Sequence, residues 1–190
     1  MPSIATTSLP ALRDRLSEGL RRARARGGEV LVAQTVHAAS DVDPAAVAVA
    51  SRRAGEPWFV LEQPDRDRSA IATLGCVRAI EADGPDRFAR VARAWRALAR
   101  DAVCDFDDGP RGSGLIAVGG FAFAAGGGAS PAWEGFEPAS LHVPELALAR
   151  RGDEVRMTLA SLVLPDDTVE ELSERLERRL AELSHAPLPL

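Results

Sequence analysis

The run Leu115-Ile116-Ala117-Val118-Gly119-Gly120-Phe121-Ala122-Phe123 contains no polar side chain. A strand made from it has no face to offer water, which suits a strand buried between two layers. The glycine pair inside it invites a phosphate-loop reading, but no Lys-Ser/Thr follows and Gly126-Gly127-Gly128 precedes no helix. Glycine within a buried strand marks a bulge or the close approach of another segment, and that structural role is expected here. Extended to Ala129, the stretch is broken by five glycines and is too short to cross a bilayer. Met1 to Pro10 lacks the basic residues and apolar run of a signal peptide. With a net charge of −5, the chain is expected to be soluble and cytoplasmic, with no affinity for nucleic acid or membrane.

Around this run the hydrophobic periodicity sets the other elements. Leu9, Leu12, Leu16, Leu20 and Ala23 predict a helix that Gly27-Gly28 stops, with Arg21, Arg22, Arg24 and Arg26 solvated at its end. Glu29 to Val36 predicts a strand, and Asp43-Pro44 a capped helix start. Trp58 to Glu62 and Ala70 to Ile80 predict two strands joined by a charged turn. A helix after Gly84-Pro85 should bury Phe88, Val91, Trp95, Leu98 and Ala102, with its arginines on the other side. Leu146 to Arg150 and Val155 to Val163 should pair around a type II′ turn at Gly152-Asp153. Asp167 with Glu170 should box the start of a last helix that buries Val169, Leu172, Leu176, Leu180 and Leu183. Glu171–Arg175 and Glu174–Arg178 should pair along its outer side. Consecutive strands without crossover helices give an α+β fold with a mainly antiparallel sheet. The divisions expected are a helix over 1–28, a body over 29–184 and a linker-like tail over 185–190.

No chemical constellation is complete. Asp105, Asp107, Asp108 and Gly109 have the wrong spacing for a calcium loop, and Ile116 stands where its closing Glu belongs. His37, His142 and His185 lack ligand-spaced partners, and His142 is expected at a strand edge. Ser113 and Ser140 lack a nucleophile elbow. Cys76 and Cys104 read as reduced, buried thiols. Trp133-Glu134-Gly135-Phe136 reads as a loop whose aromatics pack on the sheet. No catalytic, cofactor-binding or metal-binding residue is assigned.

Three segments nevertheless stand in a telling order: Trp58-Phe59-Val60-Leu61-Glu62-Gln63-Pro64, then Gly119-Gly120-Phe121-Ala122-Phe123, then Ser140-Leu141-His142-Val143-Pro144-Glu145-Leu146. With the strand Arg156-Met157-Thr158-Leu159 after them, they resemble the N-terminal part of isochorismate synthases, members of the chorismate-utilising enzyme family. The resemblance runs from about Glu29 to Leu183. In anthranilate synthases of the same family a Leu-Leu-Glu-Ser stretch helps form a tryptophan site. Here Val60-Leu61-Glu62-Gln63, followed by Pro64, displaces the serine and favours the isochorismate branch.

The resemblance implies half of the anthranilate synthase-like β-sandwich flanked by helices, a fold whose N- and C-terminal parts share one core. It also implies Mg²⁺-dependent conversion of chorismate to isochorismate in a complete enzyme, serving menaquinone or siderophore synthesis. That chemistry uses a lysine base, a glutamate acid and further glutamates on the metal, all in the C-terminal part of the family. This chain contains no lysine, its 23 basic residues all being arginine. A guanidinium does not lose a proton near neutral pH and cannot take that role. The chain is therefore expected to be inactive alone, with no cofactor of its own. It is expected to dock on the C-terminal chorismate-binding half or on itself. The alternative is a free-standing, non-catalytic subunit that docks on a separately encoded catalytic half. Burying ~1,000 Å² of exposed apolar surface in such docking is worth on the order of 25 kcal/mol before entropy costs.

Overall fold

In a computed structural model, residues 9–105, 108–124, 131–133 and 135–184 are described. The tail from His185, Asp107, Glu134 and the triple glycine Gly126–Gly128 lie outside them. The chain order is α1 (Leu9–Arg26), β1 (Val30–His37), α2 (Pro44–Ser51), β2 (Trp58–Gln63), β3 (Ser69–Leu74), β4 (Arg78–Ala82) and α3 (Arg87–Asp101). It continues with β5 (Val118–Phe121), a 3-10 turn (Pro131–Trp133), β6 (Ala139–Val143), β7 (Leu146–Arg151), β8 (Glu154–Val163) and α4 (Val169–Ala181). The strands form a five-stranded sheet, β1-β8-β7-β3-β2, and a three-stranded sheet, β4-β6-β5. Every ladder within both sheets is antiparallel, as the α+β reading requires.

The large sheet is covered on both faces. Leu12, Leu16 and Leu20 of α1 and Leu172 and Leu176 of α4 close on Val30, Val32 and Val163. Burying each such leucine contributes roughly 1.5–3 kcal/mol. α2 covers Ala72, Leu74, Leu146 and Leu148, and Asp43 caps it by accepting from Ala45 N at 2.9 Å and Ala46 N at 3.1 Å. On the opposite face, Gly114 N donates to Thr158 Oγ1 at 3.1 Å, and that hydroxyl pairs with Thr35 Oγ1 at 2.9 Å. Gly112 in the same segment, at φ 93°, approaches Ile71 so closely that an added Cβ would stand 2.5 Å from its Cδ1. The β7–β8 turn has positive φ at Gly152 alone, matching the expected type II′ geometry.

Four expectations change at this level. The single strand expected over Ala70 to Ile80 is two strands in different sheets. Gly75, at φ 71°, turns the chain out of β3 and into β4, and its N–H is held by Pro57 O at 2.9 Å. The helix α4 is boxed one residue later than Asp167: Thr168 Oγ1 accepts from Glu171 N at 3.2 Å and donates to Glu171 Oε2 at 2.9 Å. Asp167 instead accepts from Leu164 N at 2.7 Å, closing the preceding turn. Because Glu171 is committed to the cap, Arg175 does not pair with it and reaches Ser161 Oγ at 2.8 Å. Glu174 and Arg178 do approach, at 3.8 Å. Finally, the apolar run is not sandwiched. It is strand only over β5, an edge strand in which Gly119, Gly120 and Phe121 are exposed, with β6 on one side and no described strand on the other.

α4 is anchored by Arg179, whose side chain is fully buried. Its guanidinium pairs with Glu56, with Glu145 at 3.2 Å and with Glu182 at 3.5 Å, joining the helix to the segments before β2 and β7. These carboxylates offset the cost of burying the guanidinium.

Gly119 is where β5 lies tightest on β6: a Cβ there would fall 1.9 Å from Ser140 O, whereas a Cβ on Gly120 would meet nothing within 4 Å. Gly119→Ala is expected to cost about 2–3 kcal/mol in chemical denaturation through forced separation of the strands. Gly120→Ala should stay within about 0.5 kcal/mol. Equal losses at the two positions would contradict the packing described.

Candidate functional site

The three-stranded sheet has one covered face and one open face. Ile80, Ala82, Ala139 and Leu141 face α3 and pack with Val91, Trp95 and Leu98. Antiparallel register then fixes what faces the other way. Glu81 stands opposite Ser140, and Ser140 opposite Gly120; Ala79 stands opposite His142, and His142 opposite Val118. Glu81, Ser140, Gly120 and His142 therefore form the floor of one surface, the period of two sending alternate side chains to it. His142 sits on β6, the central strand, and not at the expected strand edge.

Above this floor the chain after β5 and before β6 builds an aromatic rim. A cavity of about 740 Å³ is enclosed by the floor together with Phe121, Phe123, Trp133 and Phe136. Trp133 and Phe136 meet edge to face at 6.0 Å, and Phe121 stacks on Phe88 of α3 at 5.1 Å. Both arrangements are favourable aromatic geometries. Phe88, Phe121, Phe123, Trp133 and Phe136 are all exposed. Trp133 and Phe136 thus pack on each other at the rim beside the sheet, and Phe88, expected to be buried, is exposed.

Arg87 holds the first part of the rim in place. It is 2 % exposed, whereas the helical pattern put every arginine of α3 on the solvent side. Its guanidinium donates to Gly84 O at 3.1 Å, Ala122 O at 2.6 Å and Ala124 O at 3.1 Å, and lies 4.5 Å from the centre of the Phe88 ring. Carbonyl dipoles and an aromatic face take the place of a carboxylate partner.

The polar groups of the cavity are unspent. The side chains of Glu81, Glu137 and His142 line it, and among the described residues none makes a hydrogen bond or ion pair. Ser140 Oγ is buried at its floor without a partner. No arginine lines the cavity, so its own charges disfavour an anionic ligand. Two smaller cavities differ in kind. One of about 460 Å³, beside α3, is lined by Arg26 and Asp101 and by Arg78 and Glu29, which pair with one another. The other, about 470 Å³, is lined by Arg53, Arg175, Glu56, Glu145 and Cys76. Cys76 and Cys104 are free and half-buried, and burial pushes the Cys76 thiol up, away from thiolate reactivity.

Residues 18–189 match the sequence profile described as chorismate binding enzyme. The chain belongs to that family. It is 30 % identical over 159 residues to the salicylate biosynthesis isochorismate synthase of Pseudomonas aeruginosa, covering 84 % of this chain and 32 % of that protein. The chain thus spans about a third of the length of this curated relative. Among solved structures, it aligns with the menaquinone-specific isochorismate synthase MenF of Escherichia coli at a TM-score of 0.47 and 16 % identity, over 92 % of this chain and 36 % of that one.

The Mg²⁺ implied by the family resemblance has no donor set to fit. Among the described residues no group of three or more His, Cys, Asp or Glu side chains is arranged to hold a metal ion. No step is assigned to a metal in this chain. No described helix is long and apolar enough to cross a membrane.

Of the site now visible, the sequence motifs located Gly119-Gly120, Ser140 and His142 but gave no reason to group them with Glu81. Strand register over a separation of some sixty residues makes that grouping, and no local pattern carries it. Arg87→Met removes the donor shared by Gly84, Ala122 and Ala124, and is expected to cost about 2–4 kcal/mol. Amide hydrogen exchange over 119–124 should accelerate at least tenfold beyond the change elsewhere. Unchanged protection there would show that Arg87 does not hold the rim.

Proposed function

We propose that this chain is the N-terminal scaffold of an isochorismate-forming enzyme, non-catalytic by itself, whose open sheet face seats the polypeptide that carries the chemistry. The observation that carries the reading is the pairing of family membership with a composition free of lysine. Exchange of a ring hydroxyl needs a group that takes a proton from water near neutral pH. Arginine cannot supply it. No basic side chain lines the cavity to bind a substrate bearing carboxylates.

The exposed aromatic rim supports the same reading. Contiguous apolar surface of this kind marks an interaction site on a folded chain. On this account the Mg²⁺, the base and the groups that bind the substrate's carboxylates belong to the seated polypeptide. The likeness to a salicylate biosynthesis enzyme favours a role in salicylate formation over menaquinone synthesis.

The purified 190-residue chain, incubated with chorismate and Mg²⁺, is expected to form no isochorismate above the uncatalysed background. Mg²⁺-dependent turnover by this chain alone would overturn the scaffold reading. The mass of the native polypeptide separates the forms a scaffold can take. A species well above 20.2 kDa in the source cells would make it one segment of a synthase; one at 20.2 kDa would make it a separate subunit.

A further inference from the structure

We propose that the cavity on the open face of the three-stranded sheet receives a cationic side chain, an arginine or lysine, from the polypeptide seated there, with Glu81 as its counter-ion. The proposal rests on the scaffold reading for the kind of occupant, and on the cavity's chemistry for the charge.

Arg26, Arg53, Arg78 and Arg179 all find carboxylates. Among the described residues Glu81 and Glu137 have no ion-pair partner, and both line the same aromatic-rimmed cavity while exposed to water. They flank the partnerless Ser140 Oγ and the unpaired His142. Two carboxylates, an acceptor hydroxyl and aromatic ring faces, with no basic group among them, suit a guanidinium or ammonium. The ring faces attract the cation, a carboxylate neutralises it, and the hydroxyl accepts one of its N–H bonds.

A polypeptide, and not a small organic cation, fits the rest of the surface. The aromatic side chains extend past the cavity onto Phe88 of α3, more area than one small cation covers. β5 is an edge strand with an open outer side, able to pair with an added strand. Some two thirds of the Pseudomonas relative has no counterpart in this chain.

The test is an amide NMR titration of the intact chain with N-acetyl-arginine amide. The neutral isostere N-acetyl-citrulline amide and choline serve as comparisons. The arginine compound should shift the signals of Gly120, Ser140 and His142, and the citrulline compound should bind at least tenfold more weakly. Glu81→Gln should reduce arginine binding about tenfold with the rest of the spectrum unchanged, and Glu81→Asp should restore part of it. Equal binding of arginine and citrulline compounds, or an unaltered affinity in Glu81→Gln, would overturn the proposal. Choline binding more tightly than the arginine compound would overturn the polypeptide occupant. Chorismate plays no part in the titration, so turnover by the chain sinks the scaffold reading alone, and indifference to charge sinks this one alone.

Discussion

One helix can cover only one face of a sheet, and among the described residues the three-stranded sheet β4-β6-β5 has a single helix, α3, packed against it. Its second face is left to the loops, and the unpartnered polar groups of Glu81, Ser140 and His142 collect there. The alternation of side chains along β4 and β6 sends Ile80, Ala82, Ala139 and Leu141 into the core. The same alternation leaves Glu81, Ser140 and His142 no choice but to look outward. The close approach at Gly119 presses β5 onto β6, and Gly120 beside it leaves open space where a side chain would have filled the floor. Arg87, from beneath, ties the carbonyls of the departing chain to the start of α3.

The use of charge divides the molecule in two. Buried guanidiniums serve structure: Arg179 is surrounded by Glu56, Glu145 and Glu182, and Arg87 by carbonyl oxygens and the Phe88 ring. Surface arginines behave likewise, Arg21 and Arg22 sharing Glu18 and thereby holding its carboxyl below the ordinary range. Exposed pairs of this type contribute little individually. Their bearing is on the end of α1, where arginines paired within the chain are not a vacant basic patch. The unpaired acids of the open face differ from other unpaired carboxylates, such as Glu62 and Asp65, in lining one cavity together with the partnerless Ser140 Oγ.

The parts of the fold legible in the sequence are those set by short-range periodicity. The leucines of α1 and α4, the Asp43 cap and the β7–β8 hairpin are each decided within a few residues, and the structure has them where the pattern puts them. What escaped is decided by tertiary context. Gly75 breaks a continuous β-like run because the two halves belong to different sheets, a fact no residue between Ala70 and Ile80 states. Arg87 is buried in a helix whose other arginines are exposed, since only its position meets the returning carbonyls of residues 122–124. Thr168 displaces Asp167 as the cap because Asp167 is already spent on Leu164 N. Glu81 becomes part of a site only when β4 pairs with β6, across a helix and an edge strand.

The apolar run from Leu115 to Phe123 joins these two levels. Its composition demands cover on both sides, and the folded chain supplies that only at the beginning, where Leu115 and Ala117 pack against Leu31, Ala33 and Ala160. Beyond it Gly119, Gly120, Phe121 and Phe123 are exposed. A chain in water gains nothing from an uncovered Phe121 or Phe123, and exposing them favours aggregation. On the scaffold reading the mismatch has a physical cause: the run was shaped for a core that a second polypeptide completes. The same cause accounts for the idle carboxylates. Groups that would be costly if sealed away unpaired are tolerable while water reaches them, and become useful once a cation arrives with the segment that excludes the water.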